Sequence, residues 1–133
     1  MGMNDRAGQG TVGADAANFF QIEVDIADVS ADTSYFSIVP FSARLARIYG
    51  IVDGAIATAD LVITAKNNAG TAITGGALTL ATAGSAAGTN GSVDPTAGNV
   101  FTQGQKVELA LTGAGAGGTP RGHVTMIFEK TGP

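Results

Sequence analysis

His123 is the single histidine in 133 residues, and there is no cysteine. A Ser-His-Asp relay needs one histidine between a hydroxyl and a carboxylate. The Gly-x-Ser-x-Gly elbow that exposes such a serine is missing from this sequence. One histidine without cysteine also falls short of a zinc site. His123 stands between the alternating apolar positions Val124, Met126 and Phe128 and the turn before them, so a structural or surface role on a strand is expected.

Asp25, Asp28 and Asp32 lie close together, and a hard cation such as calcium takes several loop oxygens. The glycine and terminal glutamate of a calcium loop are absent, so a solvated acidic loop is the reading. Glu23, Glu108 and Glu129 fall on the polar sides of alternating runs. Gly113-x-Gly115-x-x-Gly118 matches a dinucleotide fingerprint in letters only. That motif needs a helix after it, and here Pro120 and a strand pattern follow. Asn90-Gly91-Ser92 is formally a glycosylation sequon, with no secretory signal to make it active. The expectation is a protein that is not an enzyme and holds no metal or cofactor.

Such residues need elements to carry them, and the patterns are those of strands. Phe20, Ile22, Val24 and Ile26 alternate with Gln21, Glu23 and Asp25. Further alternation runs through Ala59–Lys66, Ala77–Thr82, Lys106–Leu111 and Gly122–Lys130. The densest apolar stretch, Tyr35 to Gly54, reads as a pair of strands broken at Pro40-Phe41-Ser42 and closed by Asp53-Gly54. Asn67-Asn68-Ala69-Gly70 is a turn, Thr71–Thr74 a short return, and Gly75-Gly76 an interruption. Gly84–Gly98 and Gly113–Pro120 read as loops. The fold class is all-β: an antiparallel sandwich or jelly-roll-like small barrel of about seven to eight strands. Phe19, Tyr35, Phe41 and Tyr49 are assigned mainly to the core.

Two units are expected: an arm over 1–18 and one β-domain over 19–133. The arm has too little apolar area to fold alone. It is either a segment that orders on a partner or a tail without such a role. Net charge is -4, and the only close basic pair is Arg44 and Arg47. No basic patch for nucleic acid and no run long enough to span a membrane are present. Charged residues make up 14% of the chain, and glycines number 20. A surface that poor in charge suits contact with other protein.

Four phrases carry a family resemblance: Tyr35-Phe36-Ser37-Ile38-Val39-Pro40, Ile48 through Ile56, Thr74-Gly75-Gly76-Ala77-Leu78-Thr79, and Ser85-Ala86-Ala87-Gly88. Across about Phe19 to Lys130 the sequence resembles the small all-β head proteins of tailed bacteriophages, the capsid decoration or cement proteins. The resemblance implies an external virion protein, made in the host cytoplasm. It would be trimeric, bound to the major capsid protein at three-fold sites, and stabilise the shell. No catalytic residue is carried over. Candidate contacts are Arg6 and Val12 on the arm and Phe19, Arg44 and Arg47 on the rim. The alternative is a head-fibre or tail-associated module that binds a host glycan through the two glycine-rich loops.

Overall fold

The computed structural model describes residues 18–112 and 120–131. Arg6, Val12 and the stretch 113–119 therefore lie outside the described residues. Among those described there are nine strands and no helix. They are β1 (Phe19–Ile26), β2 (Ser34–Ile38), β3 (Ala43–Val52), β4 (Leu61–Lys66), β5 (Ala72–Leu80), β6 (Asn90–Val93), β7 (Val100–Phe101), β8 (Lys106–Thr112) and β9 (Gly122–Lys130). The period-two pattern sets which side of each strand is buried. In β1, Phe20, Ile22 and Val24 pack on the core and Ile26 is fully buried, while Gln21, Glu23 and Asp25 face outward.

Every ladder is antiparallel. Sheet A has the order β1-β9-β3-β6, with β7 also on β3; sheet B has the order β2-β8-β4-β5. If β6 and β7 count as one interrupted strand, four pairings are nested: β4 with β5, β3 with β6 and β7, β2 with β8, and β1 with β9. The chain is thus one long antiparallel hairpin rolled up on itself. Its tip is the Asn67–Gly70 turn, where the Asn67 side chain accepts from the amides of Ala69 and Thr71. The β3–β9 and β4–β8 ladders close the roll, which gives the jelly-roll order.

The expected β-sandwich is therefore present, but three local readings change. β2 and β3, read as a pair from Tyr35 to Gly54, lie in opposite sheets and do not pair. The connection through Pro40 carries the chain from one sheet to the other, because proline ends the ladder there. Gly84–Gly98 is not all loop, since it contains β6. Thr71–Thr82 holds one strand, β5, whose ladder with β4 skips between Ala77 and Ala72. Within that skip Gly75 takes φ +74, and Thr74 leaves sheet B to bridge Ala97. Two backbone bonds, Thr74 N to Ala97 O and Thr96 N to Thr74 O, fasten that side of the sandwich.

Leu45, Ile48, Ile63, Leu78, Phe101, Leu109, Met126 and Phe128 lie within one continuous core between the sheets. Gly50 and Gly91 are ladder partners whose inner faces lie under Leu78. A Cβ on Gly50 would stand 2.7 Å from the Leu78 side chain, so only glycine lets the sheets close at this point. Asn99 is a buried polar side chain with a defined task. Its Nδ2 donates to Leu45 O at 2.7 Å, and the Asn99 backbone carbonyl accepts from Leu45 N at 2.8 Å. It fills the gap where β3 changes partner from β7 to β6, beside the bulge between Leu45 and Arg47.

Candidate functional site

The outer face of sheet A is a four-strand platform set by the ladder register. Phe19, Glu129, Arg44 and Val100 form one row. Glu23, Thr125, Tyr49 and Ser92 form another, and Asp25, His123, Ile51 and Asn90 a third. Each strand junction carries a charged link. Arg44 of β3 pairs with Glu129 of β9. Arg47 grips Asp94, just past β6, with Nε at 2.6 Å from Oδ1 and Nη2 at 3.0 Å from Oδ2. Such a two-point fork fixes both planes. The Arg47 guanidinium also lies 5.7 Å from the centre of the Tyr49 ring.

His123 ties β9 to β1. Its Nδ1 is 2.6 Å from Asp25 Oδ1, and its Nε2 is 2.7 Å from Glu23 Oε1. Only an imidazolium can donate from both ring nitrogens. The hydrogen bond to Asp25, then that to Glu23, raises the histidine pKa above its ordinary value. The Arg47 hydrogen bond holds the Asp94 carboxyl below the usual carboxylate range, and Asp94 and Tyr49 raise Arg47 in turn. With both nitrogens of His123 occupied, no ring nitrogen is left to activate a hydroxyl. The arrangement is a set of cross-strand clasps.

These clasps pair every cation they contain with a carboxylate, and His123 meets two, Glu23 and Asp25. Beside these clasps and the small polar groups Thr125, Ser92 and Asn90, the platform exposes the large apolar groups Phe19, Val100, Tyr49 and Ile51. At one end, where β1 and β3 stop and β9 begins, the platform drops into a cleft of about 590 Å³. A smaller hollow of about 260 Å³ adjoins it, with Ile51 and His123 lining both.

The structure brings the rim candidates Phe19, Arg44 and Arg47 onto this one face. Neither arginine is a free cation; each is held by a carboxylate that the sequence did not single out as its partner. Sequence reasoning missed Tyr49, Ile51 and Val100 as surface groups. Phe19, Phe41 and Tyr49 are not core residues, being 50%, 45% and 42% exposed. Tyr35 does pack against the core. In β3 the signal was available: the alternation that buries Ile48 and Val52 puts Tyr49 and Ile51 outside. Among the acids, Asp25 goes to His123, while Asp28 turns back on its own loop to accept from the amide and hydroxyl of Ser30.

No protein-family profile matches the chain, and no curated protein sequence matches it. Solved structures do. A chain of the acidic stable capsid structure of Helicobacter pylori bacteriophage KHP30 aligns with a TM-score of 0.57 at 12% identity, over 84% of this chain and 86% of that one. Likeness at that identity is likeness of fold. A chain from the complex of the Aeromonas sobria serine protease with its chaperone gives 0.43 at 12% identity, over 86% of this chain but 26% of that one. The C-terminal domain of the sugar-binding protein EclA gives 0.33 at 11% identity, over 95% and 84%. Both of these scores are too low for a shared fold.

Proposed function

We propose that this chain is a structural, non-enzymatic protein of a tailed-phage virion. In this reading it lies on the outside of the capsid and stabilises it as a decoration protein. The observation that carries the reading is the shared fold with a chain of a phage capsid structure, matched across most of both chains. The platform of sheet A supports it. A face with paired arginines and exposed Phe19, Tyr49, Ile51 and Val100 loses little on desolvation and gains apolar contact. Aromatic side chains at the centre of such a face are the usual anchors.

The partner is the major capsid protein, and the assembled form is a homotrimer made in the host cytoplasm. Repeated contacts around a three-fold site turn modest single affinities into firm attachment. In this reading Arg6 and Val12 of the expected arm are further contacts; a fully extended chain of 18 residues spans about 60 Å. Nucleic acid is not the partner, because the net charge is -4 and both arginines of the platform are paired.

Co-sedimentation with bare capsids tests this. Saturable pelleting, in multiples of the three-fold sites of the shell, is the expected result. Folded protein that stays in the supernatant at every capsid concentration overturns it.

A further inference from the structure

The end cleft shares Ile51 with the platform and adds two charged pairs that the capsid reading does not use. Its floor includes the apolar Ile51 of β3, beside His123 at the start of β9. One wall holds Asp25 and His123. The other holds Asp53 and Arg121, locked as a ring. Arg121 N donates to Asp53 Oδ1 at 2.7 Å, Asp53 N donates to Arg121 O at 2.9 Å, and the Arg121 Nε lies 3.6 Å from Asp53 Oδ2. The rim at Ala87 is fixed by its neighbour, since Gly88 N donates to Val52 O at 2.8 Å. These walls are built from strand ends and tied turns, so the cleft is preformed.

The charges select the ligand. An anion that reached Arg121 would face Asp25 and Asp53. A cation that reached those carboxylates would face Arg121 and the imidazolium of His123. A neutral group that donates and accepts at adjacent positions satisfies both walls. It also needs an apolar face to rest on Ile51. A pyranose has both properties: a ring of hydroxyls, each donor and acceptor, and a C–H face. Asp25 meets His123 through Oδ1 and its side chain is 92% exposed, so a hydroxyl can reach the carboxylate. The volume, about 590 Å³, is within the usual range for small-ligand sites. The adjoining hollow adds the half-exposed Tyr49 ring and Asn90, room for a second sugar unit.

We infer that the cleft between the Asp25–His123 and Asp53–Arg121 pairs is a binding site for a neutral saccharide. This stands apart from the capsid reading and needs no capsid to test. The turn before β6 contributes one edge of it, through Ala87.

The test is an amide NMR titration of the full chain with glucose, galactose and N-acetylglucosamine, each beside glucuronate and glucosamine as charged controls. Saturable shifts confined to amides around Ala87, Arg121 and His123, with a neutral sugar and not the charged ones, are expected. Ala87→Trp closes the mouth from an exposed position and leaves the core untouched. It should weaken binding by about tenfold or more, the loss of one good contact set. Its melting curve, unchanged from that of the parent, keeps folding out of the comparison. No cleft shifts with any neutral sugar overturns the inference. So does tighter binding of a charged sugar, or equal binding by the folded Ala87→Trp protein.

Discussion

The two outer faces of the sandwich are built from the same kind of ladder and finished differently. Sheet A carries a charged clasp at each strand junction: His123 with Asp25 and Glu23, Arg44 with Glu129, Arg47 with Asp94. Sheet B presents small residues, Thr64, Ala77, Thr79 and Ala110, with Ser34 Oγ donating to Glu108 across β2 and β8. Its large apolar groups, Phe36 and Ile38, stand at one edge, on β2. A face whose charges are already paired can be covered by protein without stranding an ion. The middle of sheet B, small threonines and alanines, offers no large apolar group; those stand only at its β2 edge. The difference is the reason the proposed capsid contact is placed on sheet A and not on the middle of sheet B.

The largest expected effect breaks that assignment directly. Tyr49→Asp with Ile51→Glu puts unpaired charge at the centre of the platform. Capsid affinity should fall by about tenfold or more per anchor lost. Phe36→Asp on sheet B should pellet like the parent. If Phe36→Asp is the one that fails to pellet, the two faces have been assigned the wrong way round.

Next comes the layer beneath the platform. Gly50→Val leaves Tyr49 and Ile51 in place but drives a side chain into Leu78. Overpacking of this kind costs about 1–3 kcal/mol, read as a lower denaturant midpoint. Asn99→Ala should cost a similar amount, about 1–3 kcal/mol, because the Leu45 carbonyl loses a buried donor. In both proteins capsid binding should survive at temperatures where they remain folded, which separates the face from its support.

A smaller effect is the pH dependence of the His123 clasp. The folded-state pKa is raised, so the stabilisation is complete below the unfolded value of about 6.5 and is lost as pH rises through the folded value. The ring is 35% exposed and screened by water, so the gain should not exceed about 1 kcal/mol. The parent should lose melting temperature from mildly acidic to alkaline pH relative to His123→Gln. Parallel curves for the two proteins would show that the clasp is idle.

The smallest effect separates the charges of the two faces. Arg47→Ala should lower the melting temperature slightly, and more at low salt than at high, since the Asp94 fork is exposed. Lys66→Ala on sheet B should show less salt dependence. Equal responses would mean that the fork adds nothing beyond ordinary surface charge.

Much of the fold was legible because side-chain alternation is local. β1 and β9 follow from their period-two runs within one residue at either end. The turn at Asn67–Gly70 follows from its residue types. β6 was not legible: Asn90-Gly91-Ser92-Val93 has the composition of a loop and is a strand only because β3 supplies the ladder. β7, two residues long, is likewise made by its partner. Tyr49 is a different case: its aromatic character suggested the core, although the alternation of β3 already placed it outside.

By itself the sequence determined that the chain is all-β, where most strands lie, and which side of each is apolar. Those properties depend on neighbours two residues away. Only the tertiary structure decided that β2 and β3 lie in different sheets, and that His123 meets acids about a hundred positions earlier in the chain. It likewise decided that Arg47 meets Asp94 and that the ends of β1, β3 and β9 enclose a cleft. Those outcomes depend on which strands pair and in what register, a choice made by the burial of the whole core at once.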